Sequence, residues 1–348
     1  MDNPGPNWPK AEAPLREDAY ARAGVDIAAG NEAVQRYRAL AQTWKHPSQL
    51  DAIGGFGGLF TLPGDASRAL VASSDGVGTK TLIAAALRRY ETVGADLVNH
   101  CVNDILVSNA TPLFFLDYLA VGKLEPDVAG TIVAGVQFAC RAHRMALLGG
   151  ETAEMPGIYD AEHFDLAGTI VGVVETARIP DPGRVRPGDA IVGFPAVGLH
   201  TNGYTLARAL IARDEWPAFA ETLLAEHPSY YRAVRAVQDV ADVKVMAHIT
   251  GGGLFENVPR TLPEDAKAIF EQTRWSVPPL IAELVRRGDL AHEERYRTFN
   301  MGLGFTLVMT TADAVKAIGV VPEAKVVGWI EKREAGEPAV VIHPARTA

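Results

Sequence analysis

The sequence predicts a protein of two domains, each mixing strands with helices, and three observations carry that prediction. At 348 residues the chain is longer than one typical hydrophobic core serves. Apolar runs of strand length alternate with helix-periodic segments through both halves. Between the halves, "ARIPDPGRVRPGD" at 177 to 189 has the proline, glycine and charge character of a domain junction. The expected division is a mobile tail over 1–16, a first domain over 17–176 and a second over 177–348.

Composition narrows the classes. Hydrophobic residues make up 48% and charged residues 22%, as in ordinary soluble folded proteins. A net charge of −9 argues against a nucleic-acid surface, which needs concentrated Lys and Arg. Cys101 and Cys140 both fall in helix-like segments, giving neither a disulfide framework nor zinc spacing, so a reducing cytoplasm is expected. The start "MDNPGPNWPKAEAPLRED" has prolines and charges where a signal peptide needs an apolar core. The longest apolar stretches, such as "AGTIVGVV" at 167 to 174, fall far short of a membrane span, and no membrane role is expected.

In chain order, "YARAGVDIAAGNEAVQRYRALAQTW" reads as a loop and a helix, and "GGFGGLF" at 54 to 60 as a glycine loop. Such a loop permits close approach to a ligand, or simply bends tightly before a strand. In "ALVASSDGVGTKTLIAAALRR", 69 to 89, Leu82, Ile83, Ala86 and Leu87 follow helical spacing, so the loop leads from strand into helix. Unpaired N–H groups at a helix start suit phosphate, Gly76 and Gly78 let it approach, and Lys80 adds charge. Asp75 suits magnesium, a hard cation that prefers carboxylate oxygen. Thr79 stands where the standard P-loop has glycine, so this is another kind of phosphate loop or an ordinary connection.

The helix "GADLVNHCVNDILVSNA" places Leu97, Cys101 and Ile105 on one stripe and Asp96, His100 and Asp104 on another, with Asn99 and Asn103 alongside. These short polar groups suit coordination better than a solvated face does. Asp117 interrupts the apolar strand "PLFFLDYLAVG", where burial demands a partner. A helix carrying Ile132, Val136, Ala139 and Cys140 follows. Next, the strand "MALLGG" is expected to break at its glycines and deliver Glu151, and "DLAGTIVGVVE" closes this half.

The second half opens with the strand "AIVGFPA" and then "VGLHTNGYTLARALIA", where Thr201 or Asn202 is expected to cap a helix. A cap does not account for His200. "VMAHITGGGLFENVPR" sets His248, Thr250 and Gly251, Gly252 and Gly253 before another helix, as a turn or as a ligand loop. "RTFNMGLGFTLVM" is an alternating strand, and "KVVGWIEKREAGEPAVVIH" reads as a terminal hairpin.

In order along the chain, "AGVDI", "SDGVGTK", "VNDILV", "PLFFLDYLA", "GGETAEMPG", "HTNGYTLAR", "HITGGGLFENVPR" and "YRTFNMGLG" resemble the phosphoribosylformylglycinamidine cyclo-ligase family. The resemblance covers nearly the whole chain, and the ordered set is far more specific than any one motif. It implies α+β domains, each a mixed sheet packed with helices, in a homodimer built largely through the first domains. It also implies ATP-dependent closure of formylglycinamidine ribonucleotide to aminoimidazole ribonucleotide, with ADP and phosphate released. Carried over by position, Asp75, Asp104 and Glu151 would hold Mg2+. Gly76, Gly78, Thr79, Lys80 and Asn103 would meet ATP. His200, Thr201, Asn202, Thr250, Gly251, Gly252 and Gly253 would meet the ribonucleotide, with His248, His200 and Lys80 as catalytic groups. The family commonly has lysine where Ala21 stands, and Arg22 is the candidate substitute. The alternatives are another ATP-dependent enzyme of the superfamily, such as a thiamine-monophosphate kinase, or a silent nucleotide-binding scaffold.

Overall fold

The computed structural model describes residues 19–25, 27–51 and 54–344, so the expected tail at 1–16 lies outside the described residues. A one-turn helix, α1 (Ala19–Arg22), and a longer one, α2 (Ile27–Gln42), lead into a first sheet. That part contains β1 (Gly58–Leu62), β2 (Asp65–Gly76), α3 (Lys80–Leu87), α4 (Val93–Val107), β3 (Thr111–Val121), α5 (Pro126–Ala142), β4 (Ala146–Glu154) and β5 (Phe164–Glu175). The strand order is β1-β2-β5-β3-β4, antiparallel except for the parallel pair β3 and β4. Along β5 buried and half-buried residues alternate strictly, the period-2 signature of a sheet covered on one face. The covering helix is α4, whose Leu97, Val98, Cys101, Val102 and Ile105 are completely buried.

The second part contains β6 (Ala190–Pro195), α6 (Tyr204–Leu210), α7 (Trp216–Leu223), α8 (Tyr231–Gln238), β7 (Val243–His248) and α9 (Gly253–Asn257). It continues with β8 (Ala266–Glu271), α10 (Pro279–Gly288), α11 (His292–Thr298), β9 (Leu303–Met309), α12 (Thr311–Val320), β10 (Lys325–Lys332) and β11 (Val340–His343). Its sheet runs β11-β8-β10-β6-β9-β7. All seven residues of β9 are buried, because helices cover both faces. Phe305, Leu307 and Met309 join α8 and α12 in one apolar cluster, while Leu303 and Val308 join the larger core with α10 and α11.

Several local expectations are corrected. The chain end is no hairpin: β8 lies between β10 and β11, pairing antiparallel with one and parallel with the other. β4 does not break at its glycines but runs through Gly149, Gly150 and Glu151 to Glu154. Gly150 is there for space, since a Cβ would strike the carboxylate and carbonyl of Asp117 across the ladder. Neither Thr201 nor Asn202 caps α6; Gly203, in the left-handed region at φ 80°, precedes it instead. The segment before the first sheet also leans on the second domain, since the Ala19 amide donates to Glu294 and α1 touches α6.

Candidate active site

The site grows from α4. All fifteen of its residues are buried, including Asp96, Asn99, His100, Asn103 and Asp104, so the polar stripe faces protein and not solvent. Its partner is the segment before α8. The Asp96 Oδ1 accepts the His227 amide at 2.7 Å, and the Asn99 Nδ2 donates to the His227 carbonyl at 2.9 Å. Asn103 spends both ends of its amide there, donating to the Pro228 carbonyl and accepting from the Tyr230 amide, each at 2.9 Å.

This arrangement corrects two assignments. Asn103 is completely enclosed and fastens the two domains, so its amide does not reach a nucleotide. Lys80 is also completely enclosed, its Nζ 2.6 Å from Asp96 Oδ2 and 2.7 Å from the Ala225 carbonyl. A desolvated ammonium needs such a carboxylate, and the pair leaves no charge over for phosphate.

One turn further along, the stripe opens. His100 Nε2 lies 2.6 Å from Asp75 Oδ2, and its Nδ1 lies 2.7 Å from Thr201 Oγ1. Burial alone would lower the His100 pKa, but Asp75 and Asp104 outweigh it and hold it up at about 9. Burial likewise opposes the charge on Asp75, and the His100 cation overrides it, so the Asp75 pKa lies below the usual carboxylate value. The Asp75 side chain is 43% exposed, which makes it the mouth of the cluster.

Asp104 is the hub behind that mouth. It accepts from Ser73 Oγ at 3.2 Å and pairs with His248 Nδ1 at 2.8 Å. With the carboxylate as acceptor, His248 carries its hydrogen on Nδ1, and its Nε2 lies 3.3 Å from His227 Nε2, which also faces the donating Asn103 amide at 3.2 Å. His200 stacks on His227 with ring centroids 4.2 Å apart. Burial, aided by neighbouring cationic groups, pushes the pKa of His200 and His227 well down. Burial also lowers that of His248, against the pull of Asp104. His248 is therefore a neutral, enclosed group that orients Asp104, and a ligand entering the cluster meets Asp75 first.

Two cation sets are possible. Asp75, His100 and Asp104 present ligand atoms within 4.8 Å of one another, as do His100, His227 and His248. The carboxylate pair, open to water at Asp75, suits a hard ion that keeps part of its hydration, whereas the histidine trio suits a borderline ion such as zinc. Glu151 is not in the first set. Asp75 pairs with Gly168, Gly168 with Asp117 and Asp117 with Gly150, so Glu151 sits three strands away, roughly 14 Å at ordinary strand spacing. The expected triad of Asp75, Asp104 and Glu151 does not close within one chain.

The loops do meet. Thr79 Oγ1 lies 3.0 Å from Thr205 Oγ1, and Gly78, at φ 68°, passes close to the Thr201 carbonyl. Gly76 follows with its amide on Asp75 Oδ1. A Cβ on Gly251 would lie 3.1 Å from Asn202 Oδ1, so "HTNG" and "TGGG" form neighbouring walls. Gly253 has a structural reason, since a Cβ would strike the Tyr296 carbonyl, and it does not line the opening. Thr250 Oγ1 bonds Asn257, whose Nδ2 also donates to the Gly251 and Gly253 carbonyls.

Known proteins share this plan. The N-terminal domain of AIR synthase related proteins matches residues 57–174, and the C-terminal domain matches residues 186–341. A phosphoribosylformylglycinamidine cyclo-ligase of Coxiella burnetii (strain RSA 331 / Henzerling II) is 42% identical over 341 residues, covering 94% of this chain and 96% of that protein. The chain belongs to the phosphoribosylformylglycinamidine cyclo-ligase family. A Myxococcus xanthus member is 44% identical over 342 residues, covering 93% of this chain and 99% of its own. Hydrogenase maturation protein HypE in complex with ATP aligns at TM-score 0.59 and 19% identity, covering 94% of each chain. AaThiL complexed with AMPPCP and TMP aligns at 0.58 and 14%, covering 88% of this chain and 92% of that one, and these two likenesses show the fold alone.

Within this cyclo-ligase fold, sequence reasoning passed over His227 and Asn257. His227 sits in "AEHPSYY" between helices with no periodic pattern to mark it, and its importance comes from placement under α4. Asn257 carried a weak signal, as a short amide one turn after three glycines.

Proposed function

We propose that the chain closes formylglycinamidine ribonucleotide to aminoimidazole ribonucleotide, converting ATP to ADP and phosphate. The observation that carries this is identity of 42% to 44% with named cyclo-ligases over almost the full length of both partners. An amide oxygen leaves poorly. ATP therefore phosphorylates the formyl oxygen, the amidine nitrogen attacks that carbon, and the C–O bond breaks as phosphate departs. Positioning and charge neutralisation carry such chemistry, and no covalent enzyme intermediate is needed.

Asp75 and Asp104 fit magnesium: both are carboxylates, close together, one of them open to water. When bound, the ion would neutralise charge on the transferred phosphoryl group. The chain's own groups supply the rest. His248 orients Asp104 through its Nδ1, and His100 bridges Asp75 and Thr201 with its two ring nitrogens. The "HTNG" and "TGGG" loops bound the ribonucleotide side.

The reading includes a homodimer, which the uncovered face of the first sheet supports. Leu113, Leu116, Tyr118 and Leu148 are 41%, 37%, 38% and 63% exposed there, an apolar patch that a second copy would cover. Glu151 stands on β4 opposite Tyr118 of that patch, which supports a site shared between copies. Among the described residues no helix is long and apolar enough to cross a membrane, and a soluble cytoplasmic enzyme is the reading we adopt.

Purified protein is expected to release ADP only when formylglycinamidine ribonucleotide is supplied. ADP release independent of that ribonucleotide, or release driven by thiamine monophosphate, would overturn the assignment. Leu148→Glu should shift the sedimenting species from dimer to monomer, and a wild-type chain already monomeric at micromolar concentration contradicts the dimer.

A further inference from the structure

A cleft of about 580 Å³ lies beside the candidate active site, between α2, the glycine loop and the segment after the triple glycine. Its lining carries three cations, Arg38, Arg260 and Arg297, against one acid, Glu256. Each comes from a different element: α2, the turn after α9, and α11.

The surroundings are shaped to hold these guanidinium groups. Gly54, at φ 113°, has no room for a Cβ because the Arg38 guanidinium occupies that space. Arg260 lies over the Phe56 ring at 5.3 Å, and Arg297 lies over Phe255 at 5.3 Å. Glu256 accepts long bonds from Arg297 at 3.4 Å and Asn31 at 3.5 Å. Its carboxyl fits against Gly252, where any side chain would displace it. No described residue hydrogen-bonds to the Arg260 guanidinium. Both glycine motifs thus serve to seat charged side chains rather than to expose backbone.

Burial, and the neighbouring Arg38 after it, oppose the charge on Arg260, and an anion entering the cleft would relieve both. Planar forks converging from three sides match a tetrahedral dianion with several acceptor oxygens better than a single carboxylate. We propose that Arg38, Arg260 and Arg297 form a binding site for a phosphate monoester. The cleft is coupled to the reaction centre, because Ser73 Oγ bonds both the Phe56 carbonyl and Asp104 Oδ2. Resting on the cyclo-ligase reading, the monoester is the 5′-phosphate of the ribonucleotide. This places the phosphate beyond the "TGGG" loop and leaves the histidine and carboxylate groups to the reacting end.

The test uses the full chain in equilibrium dialysis with ribose 5-phosphate, alongside steady-state kinetics. Arg260→Ala and Arg297→Gln should each weaken ribose 5-phosphate binding by about 10- to 100-fold, the loss expected of charge-assisted bonds. The KM for the ribonucleotide should rise in parallel while that for ATP stays unchanged, and Arg260→Lys should recover only part of the loss. Displacement of ribose 5-phosphate by aminoimidazole ribonucleotide assigns the cleft to the substrate. Displacement by an ATP analogue alone assigns the phosphate to the nucleotide and overturns the substrate source. Equal ribose 5-phosphate binding in wild type and both variants, or none in wild type, overturns the site itself. The dialysis scores the cleft even if no ribonucleotide turns over, so failure of the activity reading is seen separately.

Discussion

The two halves of α4 carry similar polar residues and do different things with them. In the first turns Asp96 and Asn99 are sealed against Lys80, the Ala225 to His227 backbone and His143. In the later turns His100 pairs with both Asp104 and Asp75, and Asp75 reaches water. Burial and charge are present in both. Access separates them: a charge pair closed on every side holds domains together, and one with an open member is available for chemistry.

The strongest way to break this contrast is Lys80→Ala. It should destabilise the chain by about 3 to 5 kcal/mol by leaving Asp96 buried and unpaired, read by urea unfolding, and Lys80→Met with Asp96→Leu should recover much of that. Wild-type stability with weakened ATP binding would instead return Lys80 to the nucleotide. At the open end, Asp75→Asn should lower turnover by about 100-fold, the scale of losing one well-placed electrostatic group, with little change in unfolding midpoint. A comparable loss of stability would make Asp75 a fastener like Asp96.

Acidification sharpens the contrast next. The His143 pKa is lowered to about 4 by burial, helped by Arg232. Below the unfolded value of about 6.5 the unfolded chain takes up a proton that the folded chain refuses, so stability falls as pH drops from there towards 4. Replacing this histidine, as His143→Gln, should remove about 2 kcal/mol of that loss at pH 5. His100 has the opposite sign: its contribution is complete below its unfolded value and is lost as pH rises through about 9. The smallest effect is Thr79→Val, which removes the bond to Thr205 and should cost about 1 kcal/mol in unfolding free energy.

Much of this was readable from local pattern. The four-residue spacing of Asp96, His100 and Asp104 marked the stripe, and the helix-forming run after Thr79 correctly turned "SDGVGTK" from a hairpin into a strand-to-helix loop. What local pattern could not carry was pairing across distance. Lys80 looks like a phosphate ligand until Asp96 and Ala225 surround it. The end of the chain looks like a hairpin until β8 enters between its strands. Gly150 looks like a strand break and Gly253 like part of a ligand loop until Asp117 and Tyr296 fill the space a side chain would need. Arg22, the expected substitute for a lysine at Ala21, ends α1 as an exposed residue.

The ties between α4 and the segment before α8 also have a consequence for synthesis. Asp96 and Asn103 find their partners 131 and 125 to 127 positions later in the chain. A ribosome making residues in order exposes the first half with these groups bare until the stretch from Ala225 to Tyr230 emerges, at elongation speeds a delay of roughly 6 to 25 seconds. During that interval α4 has an apolar side able to dock and a polar side that cannot be satisfied. The nascent first half is therefore a natural client for a chaperone. Cutting the gene at the proline-rich junction should yield a fragment that collapses without locking, despite a boundary that looks ideal on paper.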